Sequence, residues 1–511
     1  MFLKLFPRRP DHLLSDSKEL KKVLADLLRA KPLNGVEEVC NWLASLRDAK
    51  DFGLAQYFEI VRQLDEAAQP HLLRLARDYL QSPGLPSQEE QRLWTTIHGY
   101  WRELGDTYAR CVDRAQLDSK GKGVTPFKPS LPLAIARTQA ARRLQAKWLA
   151  FRYGPLDEGL WQVLGQTHLA AEVAGNAQKT LQLYPVQRGL TSIGQQYLHA
   201  IAFFTSAMDS LLLQQIEIAD RLIAHLLSRF TLVADCRPDS VYWVDAAAGS
   251  LPTRLVRPPN AGSPGLRFFA PGTALAAVEE LITVVERGEV PADLNLGADY
   301  SPKALLLVLR HLRHQWAPLP PQRKHQRHAV QTRVSIVCGF EASYKVFSGS
   351  SPSSSDLGAG EDVWLVENVS LSGLSACVGH AQEGRVKLGG LLCLQPEGGD
   401  NWLLAVVRRF SRLPGERISL GIQILSRQAQ SLQLRPRRSG FSGVLGEPGI
   451  WLREGGSPGL LRILLPPGGF NVREALEFSD AGQRRMITPA ELEETGIDYE
   501  IGRFHDRAAA T

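Results

Sequence analysis

Cysteine is scarce in this chain: six among 511 residues (Cys40, Cys111, Cys236, Cys338, Cys377, Cys393), with no C-x-x-C spacing. Neither a disulfide framework nor a cysteine zinc site is implied, and a reducing cytoplasm is the expected compartment. Long apolar runs are missing as well. The most apolar stretch, around Ala200 to Leu213, contains Ser206 and Asp209 and falls short of the about 20 residues that a membrane helix needs. The opening Met-Phe-Leu-Lys-Leu-Phe-Pro-Arg-Arg-Pro is too short and too proline-interrupted to be the apolar region of a secretory signal. No membrane insertion is expected.

Motifs that carry catalysis are absent too. There is no G-x-x-x-x-G-K-[ST] phosphate loop and no H-E-x-x-H. Gly358-x-Gly360 lacks a third glycine and a following helix, and Lys120-Gly121-Lys122-Gly123 reads as a linker. Gly455-Gly456-Ser457-Pro458-Gly459 fits G-x-S-x-G literally. A nucleophile elbow, however, needs an N–H on the residue after the serine, and Pro458 has none. His311-x-x-His314 and His325-x-x-His328 are split by a proline-rich break, and all-histidine sites without Cys or carboxylate are uncommon. The expectation is no enzyme, no metal and no cofactor.

What the chain does have is helical periodicity. With 44% apolar residues it can fill cores for about three or four domains. Over roughly the first 235 residues apolar positions recur every 3.6 residues, beginning at Asp16-x-x-Glu19, a box-like cap followed by Leu20, Val23, Leu24, Leu27 and Leu28. Further amphipathic segments fall near 35–47, 52–65, 68–81, 87–115, 131–152, 157–174 and 197–230. The Gly/Pro-rich stretch Ser119 to Pro132 separates two helical domains, 1–118 and 131–236. Trp101-x-x-Leu104-Gly105-x-x-Tyr108 and Trp161-x-x-Leu164-Gly165-x-x-His168 resemble the opening of a tetratricopeptide repeat, but they lie 60 residues apart where that repeat has a period of about 34. A tetratricopeptide array, a generic bundle and an irregular solenoid all stay open.

Residues 237–320 read as a mixed α/β connector. It holds a short hairpin (Val241–Val244, Thr253–Val256), helices near 273–287 and 301–315, and a stiff Ala317-Pro318-Leu319-Pro320-Pro321 exit. Residues 321–430 carry recurring strand-like runs: Arg333 to Cys338, 361–371, Leu388 to Leu394, Trp402 to Phe410 and Ile418 to Leu425. Several short strands with turn signals point to a small β-barrel. Residues 431–511 read as a further small β-rich module, with strands at Leu460–Leu465, Ala475–Phe478, Arg484–Ile487 and Tyr499–Phe504. The fold class expected is multidomain α+β: a mostly helical N-terminal half, a small antiparallel β-barrel near the C-terminus and a β module at the end.

The most informative feature is Arg323-Lys324-His325-Gln326-Arg327 and, 41 residues after Arg327, Asn368-Val369-Ser370-Leu371-Ser372-Gly373. On a strand, Asn368 and Ser370 share one face while Val369 and Leu371 turn to an apolar layer. Gly373 closes that strand, and without a Cβ it lets the backbone turn and a planar ligand approach its amides. Guanidinium forks take phosphate oxygens, or the O6 and N7 edge of guanine, with paired hydrogen bonds. A ligand with two phosphates and two guanines suits such a surface. The ordered pattern R-x-x-x-R … N-x-S-x-x-G resembles the PilZ family, the bacterial receptors for cyclic di-GMP, and Leu420-Gly421-Ile422-Gln423-Ile424 resembles its closing strand. The resemblance implies a PilZ-like barrel over 321–430 that binds cyclic di-GMP at Arg323, Arg327, Asn368, Ser370 and Gly373. Two departures are the Ser/Gly-rich insertion Ser348 to Glu361 and Gln322, where many members carry a further arginine.

Charge adds little to this. The chain has 59 basic and 53 acidic residues. Tyr300 to Phe340 holds seven basic residues and no acid, and Ser119 to Pro155 holds eight and no acid. Either run could attract an anionic partner, so the motif rather than the charge identifies the ligand. The reading is a cytoplasmic cyclic di-GMP effector in signal transduction, whose helical half passes the second messenger's presence to a protein partner, with no DNA partner. The alternative is a constitutive interaction scaffold whose barrel does not bind.

Overall fold

The computed structural model describes residues 11–47, 49, 52–81, 86–117, 123–155, 157–186, 189–259, 262–297, 300–319, 325–349, 363–380, 384–436, 446–454 and 459–507. The chain divides into two compact units, Met1–Pro321 and Gln322–Thr511.

The first unit begins with eight helices: α1 (Ser17–Arg29), α2 (Pro32–Arg47), α3 (Leu54–Gln81), α4 (Ser87–Leu117), α5 (Leu131–Ala150), α6 (Glu158–Val173), α7 (Ile193–Phe204) and α8 (Leu213–Leu226). Asp16 caps α1, accepting from the Lys18 N–H at 2.7 Å, and Leu20, Val23 and Leu27 form its buried face. The two segments read at 52–65 and 68–81 are one helix, α3, with Pro70 inside it. Proline removes one intrahelical bond, but Ala67, Ala68, His71 and Leu72 around it are buried, and tertiary packing holds the helix through. The segment read at 197–230 is two helices. Thr205 and Ser206 hydroxyls donate back to Ile201 and Ala202 carbonyls, and Ala207 turns left-handed at φ 48°, ending α7.

A four-stranded antiparallel sheet follows, β1 (Thr231–Val233), β2 (Tyr242–Asp245), β3 (Thr253–Arg254) and β4 (Leu266–Ala270), in the order β1-β4-β2-β3. Helices α9 (Ala274–Glu286) and α10 (Pro302–Trp316) complete the unit.

Buried charge organises this unit. Asp65 on α3 is fully buried and accepts from Gln69 (2.7 Å), Tyr108 (2.8 Å), Tyr100 (2.9 Å) and Arg137 (3.0 Å). Arg137 also donates twice to the Leu183 carbonyl and once to Glu66, so α3, α4 and α5 meet on one satisfied network. Lys147 on α5 sits between Glu217 and Asp220 of α8 at 2.6 Å from each. The acid-free run Ser119 to Pro155 is therefore not a basic surface patch over its described part. Arg137, Arg142 and Lys147 are buried, and Arg142, Arg143 and Arg152 pair with Asp106, Asp220 and Glu90. The neutralising acids lie on other helices, out of reach of a count along the chain.

The second unit contains two barrels. Strands β5 (His328–Cys338), β6 (Val363–Ser370), β7 (Gly373–Gly379), β8 (Leu391–Pro396), β9 (Leu403–Leu413) and β10 (Arg417–Ser426), with helix α11 (Phe340–Phe347), make the first, closed in the order β10-β7-β6-β5-β8-β9. Strands β11 (Ala429–Pro436), β12 (Glu447–Leu452), β13 (Leu460–Leu465), β14 (Leu476–Asp480), β15 (Gln483–Thr495) and β16 (Glu500–Asp506) make the second, closed in the order β11-β12-β13-β16-β15-β14. The terminal β module is thus a full six-stranded barrel.

The barrels share a core. Val337, Phe340, Leu391, Leu404 and Val406 of the first pack in one cluster with Ile450, Leu452, Leu464, Tyr499 and Ile501 of the second. Helix α11 is tied to the second barrel as well, since Ser431 donates to the Phe347 carbonyl (3.1 Å) and Gln433 to Tyr344 (2.6 Å).

Candidate functional site

Strands β6 and β7 form a hairpin through the two-residue turn Leu371–Ser372. Val366 lies opposite Ala376, yet Asn368 lies opposite Ser375, so β6 carries an extra residue at a bulge. Strand β5 is irregular at the same level, pairing Thr332 with Val366 and Ala329 with Asn368. A bulge shifts the strand's alternation by one. Before it, Trp364 and Val366 are buried; beyond it, Val369 is opposite buried Leu374, while Asn368 faces Ser375 on the outer surface. The shared face expected for Asn368 and Ser370 is present, and the bulge is what turns it outward. A trace of this is legible in the sequence, where the inward apolar residues Val366 and Val369 are three apart rather than two.

The row Ala329, Asn368, Ser375, Gly421, Arg409 crosses five strands on that outer face. A Cβ at Gly421 would meet Arg409 Cβ at 3.0 Å, so the arginine's stem lies over the glycine. Arg327 immediately precedes β5 and is exposed. Extending the His328–Val369 pairing by one residue sets Arg327 opposite Ser370. Arg323, Gln322 and most of the insertion Ser348 to Glu361 lie outside the described residues. A shallow depression of about 440 Å³, lined by Ala329, Val330, Gln331, Leu365, Val366 and Glu367, adjoins Asn368 at the paired irregularities.

Each motif side chain has its own environment. Asn368 Oδ1 is shielded from solvent and has no partner among the described residues. The Ser370 hydroxyl donates to the Gly373 carbonyl at 3.1 Å, closing the turn. Gly373 does not end the motif strand as expected; it opens β7. Its φ is not positive, and a Cβ there would stand 2.3 Å from the Ile422 carbonyl oxygen of β10, so interstrand packing alone demands glycine. Leu371, expected in the apolar layer, is 62% exposed at the tip of the turn. Arg408 of β9 donates to Gln423 and, in a two-bond fork at 2.7 Å each, to Glu494 of β15. Burial raises the Glu494 carboxyl, but the Arg408 guanidinium outweighs it and holds the group below its ordinary value.

The arrangement combines an exposed guanidinium, a half-buried amide whose Oδ1 has no partner among the described residues, and a row of small side chains, which is hydrogen-bonding chemistry for an anionic planar ligand. Residues 18–237 match the family model described as cyclic-di-GMP receptor FimW, N-terminal domain. The matched stretch covers less than half of the chain, runs from α1 to just beyond β1, and ends before the motif begins. No curated protein and no solved structure matches the chain.

The histidines are placed without metal geometry. His311 bonds the Ser206 carbonyl at 2.6 Å and burial lowers its pKa. Among the described residues no group of three or more His, Cys, Asp or Glu side chains is set to hold a metal ion, and no helix is long and apolar enough to cross a membrane.

Proposed function

We propose that this chain is a cyclic di-GMP receptor of the PilZ type. In this reading the first barrel of the second unit binds the nucleotide with Arg323, Arg327, Asn368, Ser370 and Gly373, and the helical unit relays its presence to a protein partner. The observation that carries the reading is the outward turn of Asn368 at the β6 bulge, beside Arg327 and in one row with Ala329, Ser375 and Gly421. Support of a separate kind comes from the helical stretch, whose family is described as a cyclic-di-GMP receptor. The barrel motif and the family match occupy different residues and point to the same ligand.

Magnitudes suffice. Charge-assisted hydrogen bonds contribute about 1.5–3 kcal/mol each, and micromolar affinity needs about −8.2 kcal/mol. Two arginines, an amide and stacking against the strip reach that range.

One observation favours the rival, a constitutive scaffold with a non-binding barrel: Ser370 and Gly373 already have internal structural reasons to be what they are. A calorimetric titration of the full chain with cyclic di-GMP decides between them. Saturable binding that Arg323→Ala and Arg327→Ala each abolish, and that GMP and cyclic di-AMP displace poorly, is expected. No heat from the wild-type chain, or equal displacement by either competitor, rejects the reading.

A further inference from the structure

The turn that carries the motif is held from outside its own hairpin. Its exposed tip has two anchors beyond the Ser370–Gly373 bond. The Ile424 N–H donates to the Ser372 carbonyl at 3.0 Å, and Arg427 Nη2 donates to the Leu371 carbonyl. Arg427 belongs to neither barrel's strands; it lies in the short link between β10 and β11. That link is fastened to the end of β12, where the Arg427 N–H donates to Glu454 Oε2 at 3.0 Å and the Arg453 N–H donates to the Gln428 carbonyl at 3.0 Å. A continuous chain of bonds therefore runs from the second barrel, through the Arg427 backbone and guanidinium, to the carbonyl between Ser370 and Ser372.

We propose that Arg427 is a positioning residue for ligand binding, and that the second barrel, through Glu454, forms part of the binding apparatus of the first. The inference rests on the cyclic di-GMP reading above. A two-residue turn at the surface fluctuates unless it is tied, and a ligand that engages Asn368 and Ser370 must then order it, which weakens binding. The guanidinium is suited to this because a charged donor at the end of a long side chain can reach the Leu371 carbonyl from the link. Since Arg427 is only half-buried and belongs to neither core cluster of the barrels, its loss should affect the turn more than the fold.

The test uses the full chain and cyclic di-GMP, with calorimetry, thermal melting and hydrogen exchange. Arg427→Ala is expected to weaken binding by about tenfold or more, to move the melting temperature by about two degrees or less, and to speed exchange of the Ser372, Gly373 and Ile424 amides without ligand. Arg427→Lys should recover most of the affinity, because an ammonium can still reach the Leu371 carbonyl. Glu454→Ala should lose affinity to a lesser degree. Unchanged affinity in Arg427→Ala overturns the inference while leaving the receptor reading intact, and a loss of affinity that only tracks a lowered melting temperature does the same. Full affinity in Glu454→Ala overturns the second barrel's part in it. A wild-type chain that does not bind removes the reading and this inference together.

Discussion

Asn368 stands opposite Ser375 on the outer face of the first barrel, its Oδ1 shielded from water and without a partner among the described residues. An acceptor left unpaired in that way costs about 1–3 kcal/mol, a cost that a donor on a bound ligand would offset. Asn368→Ala is therefore expected to melt at the same temperature as the wild type or higher, while cyclic di-GMP affinity falls, though by less than in Arg323→Ala or Arg327→Ala. Parallel loss of melting temperature and affinity would make Asn368 a structural residue.

Gly373 makes the opposite case. Its missing Cβ would stand 2.3 Å from a carbonyl oxygen of β10, so any side chain must push two strands apart. Gly373→Ala is expected to destabilise the unliganded second unit by about 2 kcal/mol or more, seen as an earlier thermal transition before any nucleotide is added. A stable Gly373→Ala variant that has lost only affinity would instead restore the ligand-approach role that the motif suggests.

The contrast between these two residues shows where the sequence is legible. Period-two and period-3.6 patterns depend on local contacts, so α1 and β10 can be read directly. The hinge between α7 and α8 depends on Ala207 adopting a left-handed conformation, and the continuity of α3 through Pro70 on burial of its neighbours; neither is a local signal. Strands β11 and β12 give no such signal, because polar positions such as Gln430 and Gln433, and the Pro448–Gly449 pair, obscure their alternation. The site residues were legible as a pattern. What turns Asn368 outward, a bulge matched by an irregularity on β5, and what fastens the Leu371 turn, an arginine 56 residues away, are long-range pairings.

His98 sets a pH dependence in the helical unit. Its ring stacks on Trp94 at 4.6 Å with 5° between the planes, and Nε2 is buried without a partner among the described residues. Burial, reinforced by the positive charge of Arg102, holds its pKa down at about 4 against 6.5 when exposed. The unfolded chain therefore takes up this proton near pH 6.5 and the folded chain only near 4, so the contribution is complete above 6.5 and lost as pH falls toward 4. His98→Phe keeps the stack and removes the titration. Urea denaturation at pH 7 and pH 5 should show a smaller acid-induced loss of stability in the variant than in the wild type; an equal loss would place the titrating group elsewhere.

The last prediction concerns how binding reaches the helical unit. Arg254 of β3 stacks on Tyr242 at 4.9 Å and donates to the carbonyls of Gln315 (2.7 Å), Ala317 and Pro318 (3.3 Å), while Tyr242 donates to Gln315 at 2.9 Å. These are the last carbonyls of α10 and the start of the segment that continues to Arg323. A ligand biases a conformational equilibrium only through its different affinity for the two states, and ligation of Arg323 and Arg327 restrains the far end of a segment whose near end Arg254 already holds. Saturating cyclic di-GMP is expected to slow hydrogen exchange in the C-terminal turn of α10 and in β2 as well as in β6 and β7. Arg254→Ala should retain affinity within about threefold, or about 0.7 kcal/mol, yet lose the protection change in α10 and β2. If the wild-type response stays within the second unit, the signal is read from the barrel surface itself; if Arg254→Ala leaves the distant response intact, coupling takes a route other than this segment.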